Sequence, residues 1–192
     1  MSQQIAIGEL RKGNAPAFRK LVAIYSDRVY NTALGMVQNS GDAEDLSQEV
    51  FLEIFKSLPR FREESSLSTW IYRITVSKSL EHIRTAGRKK RSGLILSLFG
   101  KENLLTDTTE QPFYHPGIQL ENKERAAILF SAMAKLPVNQ RTAFTLHKVE
   151  GLSHPEIAAI METSVPSIES LIFRARKKLQ ELLSDYYEKN EH

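Results

Sequence analysis

The chain contains no cysteine. That excludes a disulfide framework, a thiolate nucleophile and any zinc or iron–sulfur centre built on sulfur ligands. No apolar run reaches the about 18 residues that a membrane span needs. Residues 1–10 lack a signal-peptide core. The expectation is a cytoplasmic protein without direct membrane insertion. Glycine and proline are few, 9 and 7, and no stretch alternates as a half-buried strand does. The histidines His82, His115, His147, His154 and His192 show no metal-ligand spacing. The acidic residues form no recognisable calcium or magnesium loop. The expectation is therefore no catalytic residue, no metal, no cofactor and no enzyme.

What is present is helical. The 192 residues carry 41% hydrophobic and 26% charged side chains, ordinary for a globular protein. At roughly 150 residues per domain they allow one domain or two small ones. Phe18, Leu21, Val22, Tyr25, Val29, Ala33 and Val37 recur at helical spacing and predict a helix over residues 15–38, with Pro16 in its first turn. Asp42 is positioned to cap a second helix over 43–58, which Pro59 ends. A polar loop at 62–68 leads into a third helix over 69–85, with Ser68 as its cap. Residues 86–120 then lose all periodicity. A second helical block spans 121–188, broken at 136–137, 151–153 and 162–164. So long a structureless stretch inside one compact domain is uncommon. The fold class predicted is all-α, with small helical domains at 1–90 and 121–188 and a flexible linker at 91–120.

Three segments have chemistry of their own. Ser153 and Glu156 form a capping box ahead of a short apolar-faced helix. A three-residue turn, Glu162-Thr163-Ser164, separates it from a longer helix, and the small Ala158 permits close approach. This is the spacing of a helix-turn-helix, whose second helix lies in the major groove. Ser164, Ser167, Glu169, Ser170 and Arg174 fall on its exposed face, with Arg176, Lys177 and Lys178 following as phosphate partners. A helical hairpin with a basic end has the same spacing. Residues 42–53 hold Asp42, Glu44, Asp45, Glu49 and Glu53 with no Lys or Arg. That is either a solvated helix whose acids complement the macrodipole or a docking surface for a basic partner. Residues 61–91 combine Trp70 with many cations, and Arg73, Ser77, Glu81, Arg84 and Arg88 share one helical row. Basic residues beside aromatics suit single-stranded nucleic acid, though Trp70 and Tyr72 are equally placed to be core.

The order of these pieces is recognisable. Asp42-Ala43-Glu44-Asp45-Leu46-Ser47-Gln48-Glu49-Val50-Phe51-Leu52 is followed by Ser68-Thr69-Trp70-Ile71-Tyr72-Arg73-Ile74. Leu136-Pro137 and the helix-turn-helix ending Arg174-Ala175-Arg176-Lys177-Lys178-Leu179 complete it. Together they resemble the extracytoplasmic-function (ECF) group of bacterial sigma factors, within the sigma-70 family. The resemblance implies a region-2 helical bundle and a region-4 helix-turn-helix domain. Such a subunit binds core RNA polymerase, directs it to promoters and helps melt the −10 element. The implied core-polymerase contacts, on the β′ clamp, are Asp42, Asp45, Leu46, Gln48, Glu49, Phe51 and Leu52. The implied −10 contacts are Arg62, Glu63, Glu64, Ser65, Ser66, Ser68, Trp70, Arg73, Ser77, Arg84 and Arg88. In the family, the loop over 62–68 captures a flipped non-template base. The implied −35 contacts are Ser164, Pro166, Ser167, Glu169, Ser170, Arg174, Arg176, Lys177 and Lys178, with this domain seated on the β flap. An anti-sigma factor is a further implied partner. Ser77, Glu81, Glu169 and Leu171 depart from the family, where Asn, Asp, Lys and Arg are common. A stand-alone helix-turn-helix regulator is the alternative reading, and it has no use for the acidic helix.

Overall fold

The structure, a computed structural model, describes residues 7–99 and 120–190. Among the described residues there are eight α-helices and no strand. They are α1 (Ile7–Arg11), α2 (Ala15–Val37), α3 (Ser40–Ser57), α4 (Leu67–Phe99), α5 (Leu120–Ala134), α6 (Val138–Lys148), α7 (His154–Met161) and α8 (Val165–Asn190). A 3-10 turn, Leu58–Arg60, follows α3.

The helix starts differ from the sequence expectation in instructive ways. Asn39 caps α3, its side chain accepting from the Asp42 N–H at 2.9 Å. Asp42 is thus a capped residue and not the cap. Ser66 caps α4, its hydroxyl accepting from the Thr69 N–H at 3.1 Å. Ser68, the expected cap, already lies inside the helix. α4 also runs on past the expected end at Thr85 to Phe99. Residues 100–119, most of the expected linker, lie outside the described residues.

Leu21, Tyr25 and Val29 of α2 pack with Val50 and Ile54 of α3 and Ile71 of α4. This core also takes Leu10 of α1 and Leu58 of the 3-10 turn. In the second block, Met133, Leu136 and Phe144 pack on Ala175 and Leu179 of α8. A further cluster belongs to both blocks. Met36, Tyr72 and Val76 join Ala143, Leu146, Ile157, Ala158, Ile160, Ile168 and Ile172 in one buried group. Phe130 of α5 packs against the Ala33, Leu34, Ala43 and Leu46 group of the first block.

Polar contacts reinforce this seam. The Tyr72 hydroxyl donates to Glu150 Oε2 at 2.7 Å, and Arg73 Nε donates to the Ala159 carbonyl at 3.0 Å. Burial pushes the Glu150 carboxyl above its usual value, opposed by the Tyr72 hydrogen bond and the Arg28 charge. Gly35 lets α2 approach α6 closely: a Cβ there would overlap the Thr145 side chain, 2.8 Å from its Oγ1.

Two outcomes follow from the seam. Alanine at a helix-interior glycine normally stabilises by about 0.5–1 kcal/mol. At Gly35 the overlap opposes that gain, so Gly35→Ala should separate the blocks, seen as a larger radius of gyration in X-ray scattering. No change in radius would show that the seam tolerates a methyl group. The seam should also respond to pH. A carboxyl raised in the packed form favours packing below its free value and loses that contribution as pH rises through the raised value. The seam should therefore weaken as pH rises past the usual carboxylate range, so that less denaturant opens it, read as growth of the radius of gyration. In Tyr72→Phe, which loses the lowering hydrogen bond, this growth should shift to higher pH.

Candidate functional surfaces

α3 is amphipathic with an unusual outer face. Ala43, Leu46, Val50 and Ile54 point into the core at steps of three and four. Glu44, Asp45, Gln48 and Glu49 are exposed on the other side. Two large apolar side chains share that outer face, Leu52 at 59% and Phe55 at 49% exposure. Burying such groups elsewhere is favourable, so their exposure among acids makes this face a candidate contact surface. Leu46, implied as a docking residue, is only 2% exposed and packs on Ala33 and Leu34. It cannot touch a partner without disrupting that packing. Asp42 is tied to His82 Nε2 at 3.2 Å, and Phe51 leans on the first core. Phe55, which the sequence reading passed over, stands three residues after Leu52. Its ring meets Phe18 edge-on at 5.1 Å, which fixes its orientation while leaving half of it in solvent.

The second surface is the loop before α4 and the start of that helix. Phe61 is buried beneath Trp70, with ring centroids 4.8 Å apart. Arg62, Glu63, Glu64 and Ser66 are exposed, and Ser65 and Ser68 are partly so. Glu63 has φ 59°, a left-handed conformation rare for a residue with a side chain. Trp70 is half-buried, so its ring serves the core and the surface at once. Ser77, Glu81, Arg84 and Arg88 extend along the exposed side of α4. Arg73 begins this row but is engaged by α7. A cavity of about 960 Å3 opens there, between Trp70, Arg73 and Ser77 on one wall and Met161, Glu162 and Leu171 on the other.

The third surface is the helix-turn-helix. Its capping box is present: Glu156 accepts from the Ser153 N–H at 2.9 Å and the Ser153 O–H at 2.6 Å. These bonds hold the Glu156 carboxyl below its usual value. Glu162 closes α7 at φ 52°. Ser164 caps α8, its hydroxyl accepting from the Ser167 N–H at 3.3 Å. Ile168, Ile172, Ala175 and Leu179 bury one side of α8. Ser164, Pro166, Ser167, Glu169, Ser170, Arg174, Arg176, Lys177 and Lys178 all face solvent. Phe173, absent from the sequence expectation, is 68% exposed. It lies between Glu169 and Lys177 at helical steps of four, in the middle of this face. The spacing alone locates it, but the sequence reading searched this face for polar groups only.

A left-handed glutamate costs more than a glycine would. Glu162→Gly should therefore raise thermal stability by about 0.5–1 kcal/mol, read as a higher Tm. A lower Tm would show that the Glu162 side chain contributes a contact of its own.

Comparison with known proteins identifies the family. The Sigma-70 region 2 family matches residues 21–89, and Sigma-70, region 4 matches residues 126–179. The ECF RNA polymerase sigma-E factor of Escherichia coli (strain K12) is 32% identical over 179 residues, 93% of each chain. Its counterpart in Haemophilus influenzae is 32% identical over 180 residues, 94% of each chain. Among solved structures, CnrH in complex with the cytosolic domain of CnrY is similar with a TM-score of 0.66 and 25% identity, covering 93% of this chain and 95% of that one. The sigma factor RpoE of Bartonella quintana, solved with the anti-sigma factor NepR, has a TM-score of 0.67 at 24% identity, covering 87% and 96%. With both regions matched and the similarity running nearly end to end, the chain belongs to the ECF sigma factors of the sigma-70 family, the dissociable subunits of RNA polymerase.

Proposed function

We propose that the three surfaces divide the work of a sigma factor among them. The acidic outer face of α3 docks on core polymerase, at the β′ clamp. Leu52 and Phe55 are its apolar centre, ringed by Asp45, Gln48 and Glu49. The loop over 62–66, with Trp70 and the exposed row of α4, takes the −10 element. Unstacking a base costs a few kcal/mol, offset by contacts to the extruded base. The face of α8 reads the −35 element in the major groove, with Arg176 and Lys177 on phosphates and Phe173 against a thymine methyl. The protein supplies no chemistry of its own and works in the cytoplasm, on the polymerase. The regions over 1–90 and 121–188 act as separate units in that state.

The observation that carries this reading is the exposure of Leu52 and Phe55, 59% and 49%, on an otherwise acidic helix. A regulator that bound DNA alone would have no use for it. The packed arrangement is then a resting one. The −35 and −10 elements lie roughly 25 base pairs apart, about 85 Å along B-form DNA at about 3.4 Å per step. Arg73 touches α7 at 3.0 Å, so the packed form cannot span both elements and the seam must open on the polymerase. An anti-sigma factor fits the same scheme as a competitor for these surfaces. The Bartonella relative was solved with one.

Leu52→Ala with Phe55→Ala should weaken binding to core polymerase by about tenfold or more, the scale of one or two lost apolar anchors. The melting temperature should change little, since both side chains are largely in solvent. Unchanged pull-down on core polymerase would overturn the docking assignment.

A further inference from the structure

The loop over 62–66 contains no glycine, yet its backbone turns left-handed at Glu63, φ 59°. Its two ends are fixed from within the first block. Phe61 is buried under Trp70, and Ser66 caps α4. Neither anchor explains the strained turn between them. The explanation comes from α1. Arg11, the last residue of that helix, places one terminal nitrogen, Nη2, against two acceptors. It donates to the Phe61 carbonyl and pairs with Glu63 Oε1 at 2.9 Å. The two contacts bracket Arg62, so one guanidinium clamps the start of the loop.

The clamp is rigidly mounted. Leu10, beside Arg11, is 2% exposed and packs in the same core as Leu58 and Ile71. The turn after α1 is closed by the Asn14 N–H donating to the Glu9 carbonyl at 3.1 Å. The arrangement is not one chosen for stability. Arg11 Nε is buried without a hydrogen-bond partner, and Glu63 is held in a costly conformation. Strain of this kind, displayed on an exposed loop, points to a required shape. The electrostatics agree. Arg62, Glu63 and Glu64 sum to one negative charge, which repels a nucleic-acid strand. Arg11 neutralises Glu63 and removes that repulsion.

We propose that Arg11 is a positioning residue for −10 recognition: it fixes the shape and charge of the 62–66 loop so that the loop accepts an unpaired base. The proposal rests on the reading of that loop as the base-capturing element. Arg11 lies outside the matched region 2 segment, which begins at residue 21.

The test uses holoenzyme assembled from core polymerase and the full chain. Its ligands are single-stranded oligonucleotides carrying the −10 non-template sequence of a promoter it transcribes. Each position is replaced in turn by an abasic site, and binding is read by fluorescence anisotropy. The position at which base removal costs most in the wild type is the captured one. Arg11→Ala should reduce that cost by about tenfold, the worth of one charge-assisted contact. Arg11→Lys, which keeps the charge but not the fork, should fall between. Core binding, −35 duplex binding and Tm should stay as in the wild type. A loop variant, Arg62→Ala with Ser65→Ala, separates the two ideas. If it erases the base dependence while Arg11→Ala leaves it intact, Arg11 has no positioning role and the loop reading stands. If the loop variant changes nothing, the loop reading fails and Arg11 falls with it. A loss of Tm or core binding in Arg11→Ala, parallel to the loss of base dependence, would also overturn the proposal. Arg11 would then hold the fold and not the loop.

Discussion

The close approach of α2 to α6 at Gly35, with Tyr72 of α4 buried beside it, decides how the rest of the molecule is presented. Once those helices touch, Met36, Tyr72 and Val76 lie in one cluster with Leu146, Ile157 and Ile160. The exposed row of α4 then begins under α7, because Arg73 is bonded to the Ala159 carbonyl. The helix-turn-helix is thereby held against α4, the helix proposed to take the −10 element. Each large apolar side chain in such a seam is worth about 1.5–3 kcal/mol when removed from water. Its polar members, the Tyr72–Glu150 and Arg73–Ala159 bonds, add about 0.5–1.5 kcal/mol each. A nanomolar partner supplies about 12 kcal/mol. A partner of that affinity is on the scale of several of these contacts together.

The same balance accounts for the modest net charge. Lys and Arg total 26 against 23 acids, a sum of +3. A protein meant to grip DNA alone carries a larger basic excess, because phosphate contacts dominate affinity. Here acids are concentrated on α3, the proposed protein-docking helix, and exposed cations on α4 and α8. In the proposed division of work, promoter affinity depends on the polymerase aligning both basic surfaces on one duplex.

The helical fold and the two regions were legible in the sequence because both signals are local. Apolar residues at steps of three and four predicted α2 and α3 to within a few residues, though not the extension of α4 past Thr85 to Phe99, and the capping box of Ser153 and Glu156 was read directly. Caps were less legible where several candidates stood together. In Asn39-Ser40-Gly41-Asp42 and in Ser65-Ser66-Leu67-Ser68 the backbone chose the earlier polar residue, gaining a turn of helix. Leu46 was misplaced for a related reason. It sits among acids in the string that carries the family resemblance, but its helical row with Ala43, Val50 and Ile54 turns it inward. Phe55 and Phe173 were missed as surface groups: Phe55 stands beside the apolar row of its helix, Phe173 lies on a face searched for polar groups, and burial shows both in solvent. The seam was not legible at all. It pairs residues such as Tyr72 and Glu150, 78 positions apart, and no periodicity encodes that.

Backbone strain is found on two of the proposed nucleic-acid surfaces. Among the described residues, three non-glycine positions have positive φ: Gln38, Glu63 and Glu162. Gln38 joins α2 to α3 and is the ordinary case, a helix end whose N–H returns to the Leu34 carbonyl at 2.9 Å. The other two are glutamates on exposed turns, one in the 62–66 loop and one in the turn ahead of α8. A glycine would relieve either backbone, but it would also let the turn flex. A side chain narrows the conformations open to the turn, so each surface is stiffer before DNA arrives and less ordering entropy is lost on binding. At the first of these turns the negative charge is met by a neighbour: Arg11 sits against Glu63 at 2.9 Å. Stiff turns with locally balanced charge suit a protein that reads base edges and flipped bases while leaving most of its DNA affinity to the enzyme it joins.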